Sequence, residues 1–401
     1  MIKQIRTDQL QPGMYIHDLN CGWLDHPFVS NAFHVRDQAT VDKIVNLGIR
    51  ELYIDTVKGA NVWEARSERD VNADLDRRLQ EIAEKQAARP IVTELREETA
   101  RARRLQGEAN RLVRHVMDDV RQGQAVQLDR VMPLVDSTVE SIFRNQDALL
   151  PLVRLKRHDD YTFQHSVSVC ALLVTFGRAM ELPREIIREI ALGGLLHDVG
   201  KACVPDAILN KPAKLSEQEF FTMQGHVVQG VELLRRSGGV SETALQVVGE
   251  HHERLDGKGY PKQQAGEGIS RYGQMAAIVD VYDAISSDRV YHKGMPPPQA
   301  LKKLLEWSNH HFDPQLVKTF IRAIGIYPTG TLVQLESKRL GVVVEQNDGN
   351  LLKPVVRVFY HAGQQHYIPP ETVDLSKVQD SIASFENYEK WKIDPYQWLP
   401  A

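Results

Sequence analysis

Gly194-Leu195-Leu196-His197-Asp198-Val199-Gly200-Lys201 closes an apolar helical run with an adjacent histidine and aspartate, followed by a glycine and a lysine. An imidazole and a carboxylate at a helix end can hold a divalent ion, and the lysine sets a cation beside an anionic substrate. Histidine beside aspartate is a common pair, however, and taken alone it reads equally well as a surface helix end. Its meaning depends on the rest of the chain.

At 401 residues the chain is long enough for two or three domains. A hydrophobic content of 42%, a charged content of 25% and a net charge of -4 argue against a disordered chain. They argue equally against a general nucleic-acid binder, which would be basic, so no DNA binding is expected. Cys21, Cys170 and Cys203 lie far apart without a CxxC pattern, which suggests neither a disulfide framework nor a zinc ribbon and fits a reducing compartment. Met1-Ile2-Lys3-Gln4-Ile5-Arg6 lacks the apolar core of a signal peptide, and no apolar run is long enough to span a bilayer. The expectation is a soluble cytoplasmic protein.

Outward from the opening stretch, the pattern predicts a multi-domain, mainly α chain. Residues 1–65 alternate short apolar runs with turn formers, as in Met14-Tyr15-Ile16 after Pro12-Gly13, and read as a small α+β module with a helix over Ala39 to Leu47. Trp23, His26, Phe28 and His34 could line a ligand site there, although an aromatic core with surface histidines is the commoner outcome. Residues 66–126 shift to Arg, Glu, Ala and Gln, the mark of solvated helices, with Pro90 breaking the run. Leu95, Ala102, Ala109 and Val116 recur every seven residues beside Leu105 and Leu112, a stripe that could pair two chains as a homodimer. Glu98 and Asp119 spoil that seam, so packing against the chain's own next domain fits as well.

Residues 127–327 read as an all-α domain, with Ser216 and Glu219 as a capping box, Pro183 in a first helical turn and Asp313-Pro314 as an N-cap and N1 pair. Residues 328–401 turn strand-like over Thr331 to Leu335, Gly341 to Glu345, Val355 to Tyr360 and His366 to Ile368, with a hairpin turn at Asn347-Asp348-Gly349-Asn350. This predicts a small antiparallel sheet, and the tail with Trp391, Tyr396 and Trp398 is expected to pack onto a neighbouring element.

Candidate ligands are concentrated in the helical domain: His165 on one helix, His197 and Asp198 at the end of the next, His226 after the capping box, His251-His252-Glu253 at a helix end, and Asp280 in a further helix. Five imidazoles and two carboxylates spread over successive helices are what a bundle needs to assemble a metal site from facing side chains. Asp280 stands among Ala276, Ala277, Ile278, Val279 and Val281, where an ionised carboxylate needs a partner. His158, His292, His310 and His311 lack that apolar framing.

These blocks resemble the HD-GYP phosphodiesterases, a branch of the HD-domain metallohydrolases that cleaves cyclic di-GMP in bacterial signalling. The resemblance rests on His197-Asp198-Val199-Gly200-Lys201, Pro205-Asp206-Ala207-Ile208-Leu209-Asn210-Lys211-Pro212, and His251-His252-Glu253-Arg254-Leu255-Asp256-Gly257-Lys258-Gly259-Tyr260-Pro261. Asp280-Val281-Tyr282-Asp283-Ala284-Ile285-Ser286-Ser287-Asp288-Arg289 and His311-Phe312-Asp313-Pro314 continue it in order, so that it covers about residues 155 to 325. The segment before Glu64 loosely resembles an accessory module found ahead of such domains.

The resemblance implies an HD-type bundle holding a metal centre, with His165, His197, Asp198, His226, His251, His252 and Asp280 as ligands and Asp198 shared by two ions, iron or manganese. It implies hydrolysis of cyclic di-GMP to pGpG, and to GMP on further cleavage, by a metal-activated bridging water. Asp198 and Lys201 are the catalytic candidates, and Lys201, Gly259, Tyr260, Pro261, Asp283 and Arg289 the substrate-binding ones. Asp283 could instead reach a ligand histidine, while Asp206 and Lys211 would order the loop after Lys201. Family members with a third metal carry a glutamate where this chain has Tyr161, so two ions are expected. His292 stands where arginine or lysine is usual, which points to a weaker or pH-dependent grip. The competing expectations are a phosphohydrolase of another cyclic dinucleotide, and an inactive sensor or scaffold with regulatory protein partners.

Overall fold

The computed structural model describes residues 1–22, 26, 28, 30–83, 92–154, 161–211, 213–287, 293–308, 310–347, 349–394 and 397–399, without the side chains of 154, 161 and 162. The sequence expectations for Trp23, Pro90, Tyr161 as a side chain, Asp348, Arg289, His292 and Tyr396 fall outside the described residues. The chain divides into two compact units, Met1–Arg78 with Asp206–Met223, and Leu79–Pro205 with Gln224–Ala401.

In the first unit, β1 (Ile2–Arg6), β2 (Tyr15–Asp18), β3 (Phe33–His34), β4 (Glu51–Asp55) and β5 (Arg66–Ser67) form an antiparallel sheet in the order β3-β2-β4-β1-β5. Helix α1 (Gln38–Asn46) begins where Asp37 accepts the Thr40 amide at 2.9 Å, and Val41 and Ile44 turn inward. Ile5, Ile16, Leu52, Ile54 and Ile44 then close one apolar core. Trp63 is left 86% exposed.

Helix α2 (Glu68–Ala83) runs across the boundary between the units. In the second unit α3 (Leu95–Arg121) packs along α4 (Leu128–Arg154). Buried positions 98, 102, 105, 109, 113, 116 and 120 of α3 follow the three-and-four spacing of a helix face, so the stripe meets the chain's own next helix. Glu98 sits inside that face with 0% exposure. Its carboxylate accepts Arg144 Nε at 2.7 Å, Arg144 Nη2 at 2.9 Å and the Ser141 hydroxyl at 2.8 Å, all from α4. The acid that spoils a symmetric seam is thus what keys α3 to α4.

Helices α5 (Tyr161–Ala179), α6 (Arg184–Leu196), α7 (Asp206–Leu209), α8 (Glu217–Gln224), α9 (His226–Ser237), α10 (Glu242–Glu250), α11 (Arg271–Ser286), α12 (Pro297–Trp307) and α13 (Pro314–Ile324) follow. Helix α5 is buried without a break from Gln164 to Gly177 and touches α4, α6, α11 and α13. Glycine is costly inside a helix, by about 1 kcal/mol against alanine, yet α6 carries two in succession. A Cβ on Gly193 would stand 2.6 Å from Val247 Cβ of α10, and one on Gly194 would stand 2.6 Å from Leu173 Cδ1 of α5. The bare backbone lets α6 press between α5 and α10, and its C-terminal end carries His197 and Asp198.

The chain ends in a second antiparallel sheet, β6 (Leu332–Leu335), β7 (Arg339–Glu345), β8 (Val355–His361), β9 (His366–Asp374) and β10 (Ile382–Phe385), in the order β10-β6-β7-β8-β9. Val333, Val343 and Val356 fill one face, and Leu332, Val342 and Phe359 the other. A last short helix, α14 (Tyr388–Trp391), leads into the tail, whose Trp398 stacks on Phe359 at 4.0 Å between ring centroids. Both sheets and the bundle accord with the mainly α multi-domain class.

The Glu98 pair offers a test. Burial drives the carboxyl upward, but the hydrogen bonds from Arg144 and Ser141 outweigh it and hold the group below its ordinary 4.5. Its stabilising effect is therefore full above about that value and lost as the pH falls through the lower folded value. Arg144→Met is expected to cost about 3 kcal/mol in urea unfolding at neutral pH, because it strands a buried carboxylate. The deficit against wild type should shrink in acid, and an equal deficit at all pH values would contradict the pairing.

Candidate metal centre

Five pieces of the second unit deliver the seven predicted ligands. Helix α5 supplies His165, the end of α6 supplies His197 and Asp198, and α9 begins at His226. His251 and His252 follow α10, and Asp280 lies on α11. The structure brings these seven side chains together. His165 Nε2 is 2.9 Å from Asp280 Oδ1 and 3.2 Å from His197 Nε2. On the other side His226 Nε2 is 3.5 Å from His251 Nε2, and the His251 and His252 rings are 4.1 Å apart.

Asp198 lies between the two groups. Its Oδ2 is 3.3 Å from His197 Nε2, and its Oδ1 is 3.4 Å from His226 Nε2. Oδ1 is buried without a hydrogen-bond partner among the described residues. Three sets of side chains, His165 with His197 and Asp280, His226 with His251 and His252, and His197 with Asp198 and His251, each converge closely enough to hold an ion. His165, His197, Asp198, His226 and His251 are at most 3% exposed, while His252 is 24% exposed and stands at the mouth.

The remote ring nitrogens are fixed from behind. His197 Nδ1 lies 2.8 Å from the Gly194 carbonyl and His251 Nδ1 2.8 Å from the Val248 carbonyl, so each Nδ1 donates and leaves a lone pair on Nε2. His165 Nδ1 is 2.5 Å from Asp283 Oδ2, whose other oxygen accepts the Ser168 hydroxyl at 2.5 Å. Asp283 has 0% exposure. Of its two sequence roles, the geometry supports the one behind His165, since one oxygen meets that ring and the other accepts from Ser168.

The electrostatics suit cations. Burial raises the Asp198 and Asp280 carboxyls, yet the histidines around them, with Lys201 beside Asp198, pull both well below the carboxylate range. Burial lowers both His197 and His251, but Asp198 more than offsets it and raises His197, whereas the neighbouring imidazoles reinforce it and drive His251 well below its ordinary value. Ionised carboxylates and inward lone pairs, with one buried carboxylate oxygen orphaned, form a donor set that fits divalent metal ions.

Lys201 follows on a short 3-10 turn, Val199–Cys203, and its Nζ pairs with Asp198 Oδ2 at 2.6 Å. Gly200 lies flat against α9, where a Cβ would come within 1.9 Å of the His226 carbonyl oxygen. That contact sets His226 beside Asp198. Tyr260 stacks on His252 at 4.6 Å and 30°, and its amide donates to the His252 carbonyl at 3.1 Å. Gly259 is buried against residues 252–254 beneath it, and Pro261 follows Tyr260 through a cis bond. Sequence reasoning passed over Glu253, which is 2% exposed and accepts the amides of Lys262 at 2.7 Å and Gln264 at 3.0 Å. A buried acid directly after two ligand histidines was the available signal.

Comparison with known proteins follows the same outline. The chain is 42% identical over 394 residues to "Cyclic di-GMP phosphodiesterase PA4108" of Pseudomonas aeruginosa, covering 98% of this chain and 94% of that protein. Residues 138–316 match the HD domain family, and residues 2–131 match a domain of unknown function, DUF3391. The chain belongs to the HD-GYP family of HD-domain proteins. Over 31% of its length this HD-GYP chain is also 42% identical to the "3'3'-cGAMP-specific phosphodiesterase 2" of Vibrio cholerae, spanning 24% of that protein. Among solved structures, the HDG"Y"P protein Bd1817 from Bdellovibrio bacteriovorus aligns with a TM-score of 0.47 and 17% identity, covering 80% of this chain and 98% of that one. No helix among the described residues is long and apolar enough to cross a membrane.

Removing the support behind His165 should weaken metal binding while leaving the fold intact. Asp283→Ala is expected to lower the affinity for Mn(II) by about 10- to 100-fold in calorimetric titration. Unchanged affinity would mean that Asp283 does not orient the ligand.

Proposed function

We propose that this HD-GYP chain hydrolyses cyclic di-GMP to pGpG, and on a second cut to GMP, at a centre of two iron or manganese ions. The observation that carries the reading is Asp198, whose two carboxylate oxygens face different histidines, His197 and His226. His165, His197, Asp198 and Asp280 would hold one ion, and Asp198, His226, His251 and His252 the other. When bound, such ions supply Lewis acidity that activates water and offsets phosphate charge.

The chain's own groups do the rest. Lys201, part-buried and already beside Asp198, presents an ammonium at the edge of the centre, where it can donate to a phosphate oxygen or to the departing ribose oxygen. The ring of Tyr260, carried on the loop of Gly259 and Pro261 and backed by His252, offers a face on which a base can stack. Arg289, retained from the sequence, would meet a second phosphate oxygen. Asp283 contributes only through His165. The full set of ligands weighs against an inactive scaffold. Substrate choice is supported by the full-length match to a relative named for cyclic di-GMP, against a match to one named for cGAMP that spans 31% of the chain.

The test is an anaerobic assay of the full chain reconstituted with Mn(II) or Fe(II). Cyclic di-GMP should be converted to pGpG faster than 3'3'-cGAMP, chelator should stop the reaction, and Asp198→Ala should fall to background. Lys201→Ala should lose about 10²- to 10³-fold in kcat. Intact cyclic di-GMP after hours with the loaded protein would reject the reading.

A further inference from the structure

Between Lys201 and His226 the chain leaves one compact unit and comes back to it. Residues 206–223 group with the N-terminal module, whereas the stems on either side, up to Pro205 and from Gln224, belong with the helical bundle. Those stems meet at the candidate metal centre, where Gly200 lies against the backbone of His226. The excursion is therefore a closed loop whose base carries Lys201 and His226 and whose tip is held by another part of the chain.

Lys214 is the anchor of the tip. Its ammonium donates to the Phe28 carbonyl and to His26 Nδ1, the latter at 3.2 Å. His26 is 5% exposed, and its Nε2 lies 2.7 Å from Asn31 Oδ1. Nε2 therefore carries the proton and donates to the amide oxygen, which leaves Nδ1 as an acceptor shaped for the lysine. By contrast, the Lys43–Glu217 pair, also between the tip and the module, is exposed and holds little. Inside the tip, Glu219 takes the Lys211 ammonium at 2.6 Å and the Ser216 amide at 2.6 Å. These bonds tie the residues before Lys214 to those after it.

We propose that Lys214 is a positioning residue: gripped by the N-terminal module, it holds the excursion and, through the stems, sets where Lys201 stands at the metal centre, so that the module governs turnover. This rests on the phosphodiesterase reading above for its kinetic consequence and on chain geometry alone for its mechanical one. The module is then a control element acting through a loop that the bundle itself extends to it.

The experiment compares full-length wild type, Lys214→Met and Lys214→Arg by hydrogen exchange and by steady-state turnover of cyclic di-GMP, with metal content measured on each. In Lys214→Met, protection should fall about tenfold or more across 206–223, and it should also fall in the stems, 199–205 and 224–230. As for Lys201→Ala but by less, kcat should fall while metal content stays near wild type, and Lys214→Arg should restore part of both the protection and kcat. Stems that keep their protection while the tip loosens would overturn the proposal whichever way kcat moves, as would a tip that does not loosen. If wild type does not turn over cyclic di-GMP, the reading of function fails, and the exchange of the stems still decides the positioning role. Should Lys214→Met not fold, Asn31→Ala, which removes the acceptor behind His26, is expected to give a smaller loss of protection in the same peptides.

Discussion

Two ionised carboxylates, Asp198 and Asp280, are buried to within a few per cent of complete exclusion from water. Such groups are tolerated only where positive charge meets them. Lys201 meets one oxygen of Asp198, and the other has no hydrogen-bond donor among the described residues. Around them the imidazoles turn inward with Nε2, held from behind by the Gly194 and Val248 carbonyls and by Asp283. The charge deficit at this point and the ordered lone pairs around it belong to one design, which divalent ions would complete.

Packing makes that design geometrically attainable. Helix α6 must lie close enough to both α5 and α10 for His197 to reach His165 and His251, and residues with side chains at 193 and 194 would hold the helices apart. The turn after Asp198 must likewise lie on α9 without a side chain at 200. The run from Gly193 to Lys201 thus carries both the ligands and the spaces that let the neighbouring ligands approach, which explains why chemistry and packing share one stretch. Further out, the same economy joins Glu98 to Arg144, where an ion pair in an apolar face fixes the partner of α3.

Much of this was legible in the amino-acid order. Helix caps and the change from helical to alternating periodicity announced the mainly α architecture with two small sheets, because both depend on neighbours a few residues apart. The seven ligand candidates were also readable, since acids and histidines inside apolar helices stand out whatever their partners. Relations across the fold were less readable. The α3 stripe has the same spacing whether it meets a second chain or α4, and Ser141 and Arg144, 43 and 46 residues away, distinguish them. Asp283 shares a helix face with Asp280, so the sequence left two partners open, and the placement of α5 decided for His165. The attachment of residues 206–223 to the N-terminal module had no local signature, because Lys214 looks like any surface lysine until Phe28 and His26 close around it.

The shared carboxylate of Asp198 is the point on which the account turns, and electron paramagnetic resonance of the Mn(II)-loaded chain addresses it without relying on turnover. Two ions per chain with an exchange-coupled spectrum, lost in Asp198→Ala, are expected. A single uncoupled ion per chain at saturation, or coupling that survives Asp198→Ala, would contradict a centre built across that carboxylate.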